Sequence, residues 1–278
     1  MPDTFAGDSG YRVPEVAPPG GSRTGILPHF AVLIPAYNEA ATIAAIVERA
    51  VCEVGRVLVV DDGSTDGTAL AAERAGATVL RQDRNRGKGD ALQMGLKAIG
   101  DAGYSYAVTL DGDGQHRAAD IPALAAMAAP DRIVIGSRMS ERHHIPSARY
   151  KANQTANFFI SWACGTWIED TQSGFRIYPL GVLERVRLRE RRKYGFVFES
   201  EILIEACRAG FRVRTAPIPA LYDNTIKRAS HFRPVRDIAA IVAMVTGKIL
   251  RWGFYPAGLL RSQYERRNLA SRVESLPS

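Results

Sequence analysis

The chain has 278 residues, 36 Lys and Arg against 29 Asp and Glu, and a formal net charge of +7. This length fits one large domain or one domain with appendages, and a hydrophobic fraction of 46% is ordinary for a globular protein. Three widely separated cysteines, Cys52, Cys164 and Cys207, exclude a cysteine metal or redox motif and read as buried free thiols in a reducing cytosol.

Residues 1–27 are rich in Pro, Gly, Ser and Asp without periodicity; they read as a disordered tail, and no signal peptide is expected in them. From Phe30, short apolar runs alternate with Ala-rich helical stretches. The strands expected are Phe30–Pro35, Val57–Asp61, Thr78–Arg81, Ala107–Asp111 and Ile133–Gly136. The helices between and after them are Ala41–Val54, Thr68–Ala75, Asp90–Ile99, Ile121–Ala129 and Ala148–Cys164. The runs are apolar on both faces, as buried parallel strands are. Such alternation predicts an α/β domain over residues 28–221 with a doubly wound, mostly parallel sheet and flanking helices. Past Ile177 the pattern loosens, with a helix at Phe196–Ala209 and a strand at Phe211–Ile218.

Residues 222–236 read as a mobile basic loop, and 237–278 as a basic amphipathic helix with a tail. The whole positive excess lies at this end: residues 208–278 hold 13 Lys and Arg against 4 Asp and Glu, whereas residues 1–207 hold 23 against 25. An anionic partner is expected there: a membrane surface, a phosphorylated lipid or nucleic acid. The longest uncharged stretch, Ile238–Gly247, spans as a helix about 15 Å of a roughly 30 Å hydrocarbon core, so no spanning helix is expected. Two readings stand: an interfacial helix with Trp252, Phe254, Tyr255, Arg261, Arg266 and Arg267, or a helix packed on the domain.

Ligands of doubly wound sheets bind beyond the carboxyl ends of the strands. Tyr37, Asn38, Glu39, Asp61, Asp62, Asp111 and Asp113 all fall at such ends and are expected to converge on one crevice. Asp111 and Asp113 in Asp111-Gly112-Asp113-Gly114 are two residues apart and could hold one divalent cation whose shell is completed by phosphates and water. An EF-hand is excluded, since the later ligand positions are missing. Gly87-Lys88-Gly89-Asp90 is neither a P-loop nor a dinucleotide fingerprint, but it could lend N–H groups to a phosphate at a helix start. Asp61-Asp62-Gly63-Ser64-Thr65-Asp66 also suits a turn with a helix cap. His116 reads as a hydrogen-bonded strand-end histidine in preference to a metal ligand.

Five segments in this order resemble family 2 glycosyltransferases of the GT-A fold: Pro35-Ala36-Tyr37-Asn38-Glu39, Asp61-Asp62-Gly63-Ser64, Asp111-Gly112-Asp113-Gly114-Gln115-His116, Gly136-Ser137-Arg138 and Asp170-Thr171-Gln172-Ser173-Gly174-Phe175-Arg176. The nearest branch is that of the polyprenyl-phosphate (dolichol-phosphate) mannosyl- and glucosyltransferases. The resemblance implies that Pro35, Tyr37, Glu39, Asp61 and Asp62 line the nucleoside. It implies that Asp111, Gly112, Asp113 and Gln115 hold the donor diphosphate with Mg²⁺ or Mn²⁺, with Lys88 nearby. Arg138, Arg149 and Asn153 would meet the acceptor phosphate, and basic residues of the 222–236 loop, Arg228 among them, would close the site. Glu199 and Glu201 would support the acceptor side.

The implied reaction is transfer of a sugar, with inversion, from a nucleotide-diphosphate sugar. A phosphate acceptor is already ionised near neutral pH, with a second pKa of about 6, and needs orientation by arginine. A hydroxyl acceptor needs a general base, and Asp170 matches the position where hydroxyl-directed members carry one. A polyprenyl phosphate acceptor is the leading expectation; a sugar or lipid hydroxyl in cell-envelope biosynthesis is the alternative. A nucleotidyltransferase fits less well, because the Gly-rich N-terminal signature is missing. A nucleic-acid module is not expected, since Trp252, Phe254 and Tyr255 sit in an apolar run and form no stacking platform. Catalysis at a membrane's cytoplasmic face, with peripheral attachment, follows from these expectations.

Overall fold

The computed structural model describes residues 27–140, 145, 147–186, 195–219 and 234–274. The expected N-terminal tail up to residue 26 and Arg228 with its loop lie outside the described residues. Seven strands, β1 (Phe30–Ala36), β2 (Val57–Asp61), β3 (Thr78–Arg81), β4 (Tyr106–Thr109), β5 (Arg132–Ser137), β6 (Arg176–Pro179) and β7 (Arg212–Pro217), form one sheet in the order β3-β2-β1-β4-β6-β5-β7. All neighbours pair in parallel except β6, which runs antiparallel to both β4 and β5.

The side-chain period of two explains the layering. In β1, Ala31 and Leu33 enter one core layer, while Phe30, Val32 and Ile34 enter the other. In β2, Leu58 and Val60 go with the first set, Val57 and Val59 with the second. Both faces are therefore dry, each buried Val, Leu or Ile contributing roughly 1.5–3 kcal/mol. Helices α1 (Ile43–Val54), α2 (Thr68–Arg74) and α4 (Ile121–Ala125) cover one face. Helices α3 (Lys88–Asp101), α5 (Ser147–Cys164), α7 (Gly195–Arg208) and α8 (Pro234–Arg251) cover the other, and the short α6 (Val182–Arg185) follows β6. The chain passes from β1 through β2 to β3, then returns to the far side of β1 as β4. The crevice of a doubly wound sheet opens at such a reversal, here past the ends of β1 and β4.

The single C-terminal helix expected from sequence is two helices. Ile238, Ile241, Val245 and Ile249 place the apolar stripe of α8 inside the core. Lys248, which breaks the apolar run in sequence, is buried and paired with Glu201 at 2.9 Å and Glu205 at 2.5 Å on α7. The chain turns through Phe254 and Tyr255, both with positive φ, into α9 (Pro256–Glu274). The Trp162 indole donates to the Tyr255 carbonyl at 3.1 Å, and the Glu265 carboxylate accepts from Thr166 Oγ1 at 2.6 Å and Trp167 N–H at 2.8 Å. Among the cysteines, Cys52 is exposed, not buried as expected, because it lies on the outer face of α1.

Candidate active site

The residues expected to line the nucleoside come from loops tied together by side chains. Asn38, in the left-handed region at φ 54°, donates its N–H to Ser64 Oγ at 2.9 Å and accepts the Thr65 N–H at 2.9 Å. The Glu39 N–H goes to Thr68 Oγ1 at 2.8 Å. Ser64, Thr65 and Thr68 thus do more than shape a turn: they fix the loop carrying Tyr37 and Glu39, a role the sequence pattern did not announce. Asp62 accepts the N–H groups of Arg86 and Gly87 at 2.7 and 2.8 Å, and burial still pushes its carboxyl above the usual range. Asp61, the last residue of β2, is fully buried and accepts the Ser64 N–H at 2.9 Å, with Arg81 3.4 Å away. It holds the turn that follows β2.

Strand β4 ends at Thr109, so Asp111 and Asp113 belong to a loop, not to a strand end as the alternation argument assumed. Thr42 Oγ1 binds the Gly112 carbonyl at 2.8 Å and so ties this loop to the nucleoside loop. Gly112 lies against Glu39 and the Pro35 carbonyl, where an added Cβ would come within 3.3 and 3.4 Å. Opposite, a Cβ on Gly174 would fall 2.4 Å from Asp111 Oδ2, so a larger residue there would push this carboxylate from its place. Lys88 Nζ sits 2.6 Å from Asp111 Oδ1 and 3.0 Å from Glu199 Oε2. Burial works to raise the Asp111 carboxyl, but the Lys88 charge outweighs it and holds the group down at about 2. Asp113, at the open side, accepts the Gln115 N–H at 3.0 Å; loss of hydration and the Asp111 charge push it up.

Two hard carboxylates that resist being charged together form a donor set suited to Mg²⁺ or Mn²⁺. Among the described residues no cluster of three or more His, Cys, Asp or Glu could hold a metal by itself. A cation on Asp111 and Asp113 would complete its shell with substrate oxygens and water. His116 is buried, and burial lowers it to about 4, leaving it neutral at neutral pH. Its Nδ1 accepts a long bond from the Asp111 N–H at 3.5 Å, which leaves the proton on the inward Nε2.

The residues expected at the acceptor make a different structure. Arg138 and Asp170, proposed from sequence for different acceptors, are partners. Arg138 donates Nε–H at 2.9 Å, Nη2–H at 3.0 Å and its backbone N–H at 3.1 Å to the Asp170 carboxylate. Both side chains are buried, and although burial acts to raise Asp170, Arg138 holds it below the ordinary carboxylate range. A carboxylate with both oxygens engaged and a depressed pKa is a poor general base. In this geometry Asp170 holds the Arg138 guanidinium.

Arg176, fully buried, donates to the carbonyls of Ser173 (2.8 Å), Thr171 (2.7 Å) and Glu199 (2.7 Å) and to the Tyr178 hydroxyl (3.1 Å). It staples the 170–175 loop to α7. From α5, Asn157 Oδ1 accepts the Thr171 N–H at 2.9 Å, and Gln154 Nε2 lies 3.9 Å from Met139 Sδ. The N-terminal half of α5, with half-buried Arg149 and buried Asn153, therefore runs past the Arg138 segment.

A glycosyl transferase family 2 model matches residues 31–186. The chain belongs to this family. It is 35% identical over 199 residues to a polyprenol monophosphomannose synthase of Mycolicibacterium smegmatis, covering 67% of this chain and 75% of that protein. It is 31% identical to an undecaprenyl-phosphate mannosyltransferase of Micrococcus luteus, covering 67% and 81%. Glucosyl-3-phosphoglycerate synthase of Mycobacterium tuberculosis, crystallised with Mn²⁺, UDP and phosphoglyceric acid, superimposes with a TM-score of 0.58 at 20% identity over 80% of this chain and 77% of that one. The sheet is thus that of the GT-A fold.

Proposed function

We propose that this glycosyltransferase moves a sugar, with inversion, from a nucleotide-diphosphate sugar to the phosphate of a polyprenyl lipid. One observation carries the choice of acceptor. Asp170, the carboxylate a hydroxyl acceptor would need as base, is buried and taken at both oxygens by Arg138. A phosphate nucleophile needs no base, and a rigidly held guanidinium suits it. The polyprenol and undecaprenyl-phosphate relatives support the same reading. Tyr37, Glu39 and Asp62 would bind the nucleoside, with Pro35 behind them. Asp111 and Asp113, assisted by Gln115, would hold Mg²⁺ or Mn²⁺, which supplies a Lewis acid for the departing diphosphate. Arg138, Arg149 and Asn153 would orient the acceptor, and Arg228 would add charge from its loop.

The lipid acceptor places the enzyme at a membrane, in this reading peripherally on its cytoplasmic face. No helix among the described residues is long and apolar enough to cross one. Helix α9 and the turn before it expose Phe254, Leu260 and Tyr264 beside Arg251, Arg261 and Arg267, a pairing that suits an anionic interface. The deciding experiment screens GDP- and UDP-sugars with Mg²⁺ or Mn²⁺, with and without a polyprenyl phosphate. Lipid-dependent release of nucleoside diphosphate is expected. Equal turnover with the dephosphorylated polyprenol would point to a hydroxyl acceptor instead.

A further inference from the structure

Lys88 is the first residue of α3, directly after the Arg86 and Gly87 N–H groups that Asp62 accepts. Its ammonium reaches the other end of the cleft, 2.6 Å from Asp111 Oδ1. That oxygen belongs to the carboxylate assigned above to the cation. An ammonium and a divalent cation cannot both sit within bonding distance of one carboxylate oxygen without strong repulsion. A second seat is already built: Glu199 Oε2 on α7 lies 3.0 Å from the same ammonium, and the Glu199 side chain is only 7% exposed. Lys88 can therefore leave Asp111 without losing its carboxylate partnership.

We propose that Lys88 is a tethered counter-ion for the metal site, with Glu199 as its pivot. Without donor it neutralises Asp111. When the diphosphate enters, the ammonium turns to the phosphates, keeps Glu199, and frees Asp111 for the metal that accompanies them. Each partner removes the other's obstacle: the diphosphate draws the ammonium away, and the metal takes the carboxylate so released. Metal and diphosphate then bind with positive coupling, and metal alone binds weakly. The inference rests on the reading of Asp111 and Asp113 as cation ligands, but not on any particular sugar or acceptor. A plain structural ion pair between α3 and α7 would hold the same groups together but would not set metal affinity.

The test is binding of Mn²⁺ to the full chain, followed by the spin signal of free Mn²⁺, first alone and then with GDP or UDP. Lys88→Met keeps the alkyl stem and removes the charge. It should bind Mn²⁺ alone about 2- to 5-fold more tightly, the scale of one partly exposed ion pair. The same variant should hold the nucleoside diphosphate with Mn²⁺ more weakly, so the coupling shrinks. Glu199→Gln should weaken Mn²⁺ binding, because the ammonium then has Asp111 as its carboxylate partner. In the Lys88→Met background that effect should vanish. Unchanged or weaker Mn²⁺ binding in Lys88→Met overturns the proposal, as does a Glu199→Gln effect that persists without the lysine. Asp113→Asn separates the two readings. If it leaves Mn²⁺ binding intact, the cation site itself is misassigned; if it weakens binding while Lys88→Met does nothing, only the counter-ion role fails.

Discussion

The two sides of the cleft, proposed above for acceptor and donor, use charge in opposite ways. On the acceptor side, charged groups are turned inward and matched to one another. Arg138 and Asp170 form a buried bidentate pair, and Arg176 donates to three carbonyls and a hydroxyl. On the donor side the carboxylates stay mismatched. Asp113 is raised by loss of hydration and by its neighbour Asp111, and one ammonium stands against both Asp111 and Glu199. A matched pair gives a fixed shape and holds a guanidinium in place. A mismatched cluster gives affinity for ions that arrive from outside. The acceptor side is therefore expected to respond to mutation through geometry and stability, and the donor side through metal and nucleotide affinity.

The largest effect should fall on the side that is matched. Arg176→Met leaves three buried carbonyls and a buried hydroxyl without their donor. Breaking a buried charged network by removing one partner costs about 3–5 kcal/mol. Denaturant unfolding should show that loss in the free protein, without any ligand. A variant as stable as the parent would mean that the 170–175 loop is held by other contacts.

Next comes the donor side. Asp113→Asn keeps the shape of the side chain and removes its charge, so the unfolding midpoint should hardly move. The turnover rate should nevertheless fall at least ~100-fold, the scale of losing one transition-state electrostatic group. Full turnover in excess chelator would remove the metal from this account altogether.

Arg138 and Asp170 sharpen the contrast, because a sequence reading set them against each other as markers of two acceptor classes. As partners they should fail together. Arg138→Gln and Asp170→Asn are each expected to raise the acceptor KM roughly 10- to 150-fold, the range for a charged hydrogen-bond partner. The double variant should be little worse than either single one. Acid provides a second readout. Asp170 is held below its ordinary value of 3.8 in the folded chain, so its stabilising contribution is complete above that pH and is lost as pH falls through the folded value. Asp170→Asn should lose this component of acid unfolding. Additive effects in the double variant would show two independent roles.

Much of this architecture was legible in the residues. Short runs apolar on both faces located β1 to β5 and β7, and the carboxylates after them marked the side proposed for the donor. What the residues could not say is which charges face each other, because pairing depends on strand order. Asp170 meets Arg138 only because β6 inserts antiparallel between β4 and β5. That strand runs from Arg176 to Pro179, with only two apolar residues between a charge and a proline, so no uninterrupted apolar run marked it. One signal was present and could have been used: Arg176 stands alone in the apolar run Phe175-Arg176-Ile177-Tyr178, and a lone charge in a buried strand must find partners. Helix α9 offered no apolar stripe to read. Leu260 and Tyr264 are exposed, and the helix is held by Glu265 and by Trp162 donating to the turn before it.

The smallest expected effect tests whether the two sides are separable at all. Ser64 Oγ accepts the Asn38 N–H at 2.9 Å, and Asn38 sits at φ 54°, a conformation that a non-glycine residue holds only when its surroundings fix it. Ser64→Ala removes the acceptor while the bond from Thr65 N–H to Asn38 Oδ1 remains. The loop carrying Tyr37 and Glu39 then loses one of its ties to the β2 end. A neutral hydrogen bond contributes about 1 kcal/mol, or roughly fivefold in affinity. That loss should appear in nucleoside diphosphate binding by calorimetry. The acceptor KM should stay near the parent value, since the hydrogen bonds described for the Arg138–Asp170 pair and the Arg176 staple run to other segments. If Ser64→Ala moves the acceptor KM as far as the nucleotide affinity, the cleft behaves as one coupled unit, and the division between a matched and a mismatched side is wrong.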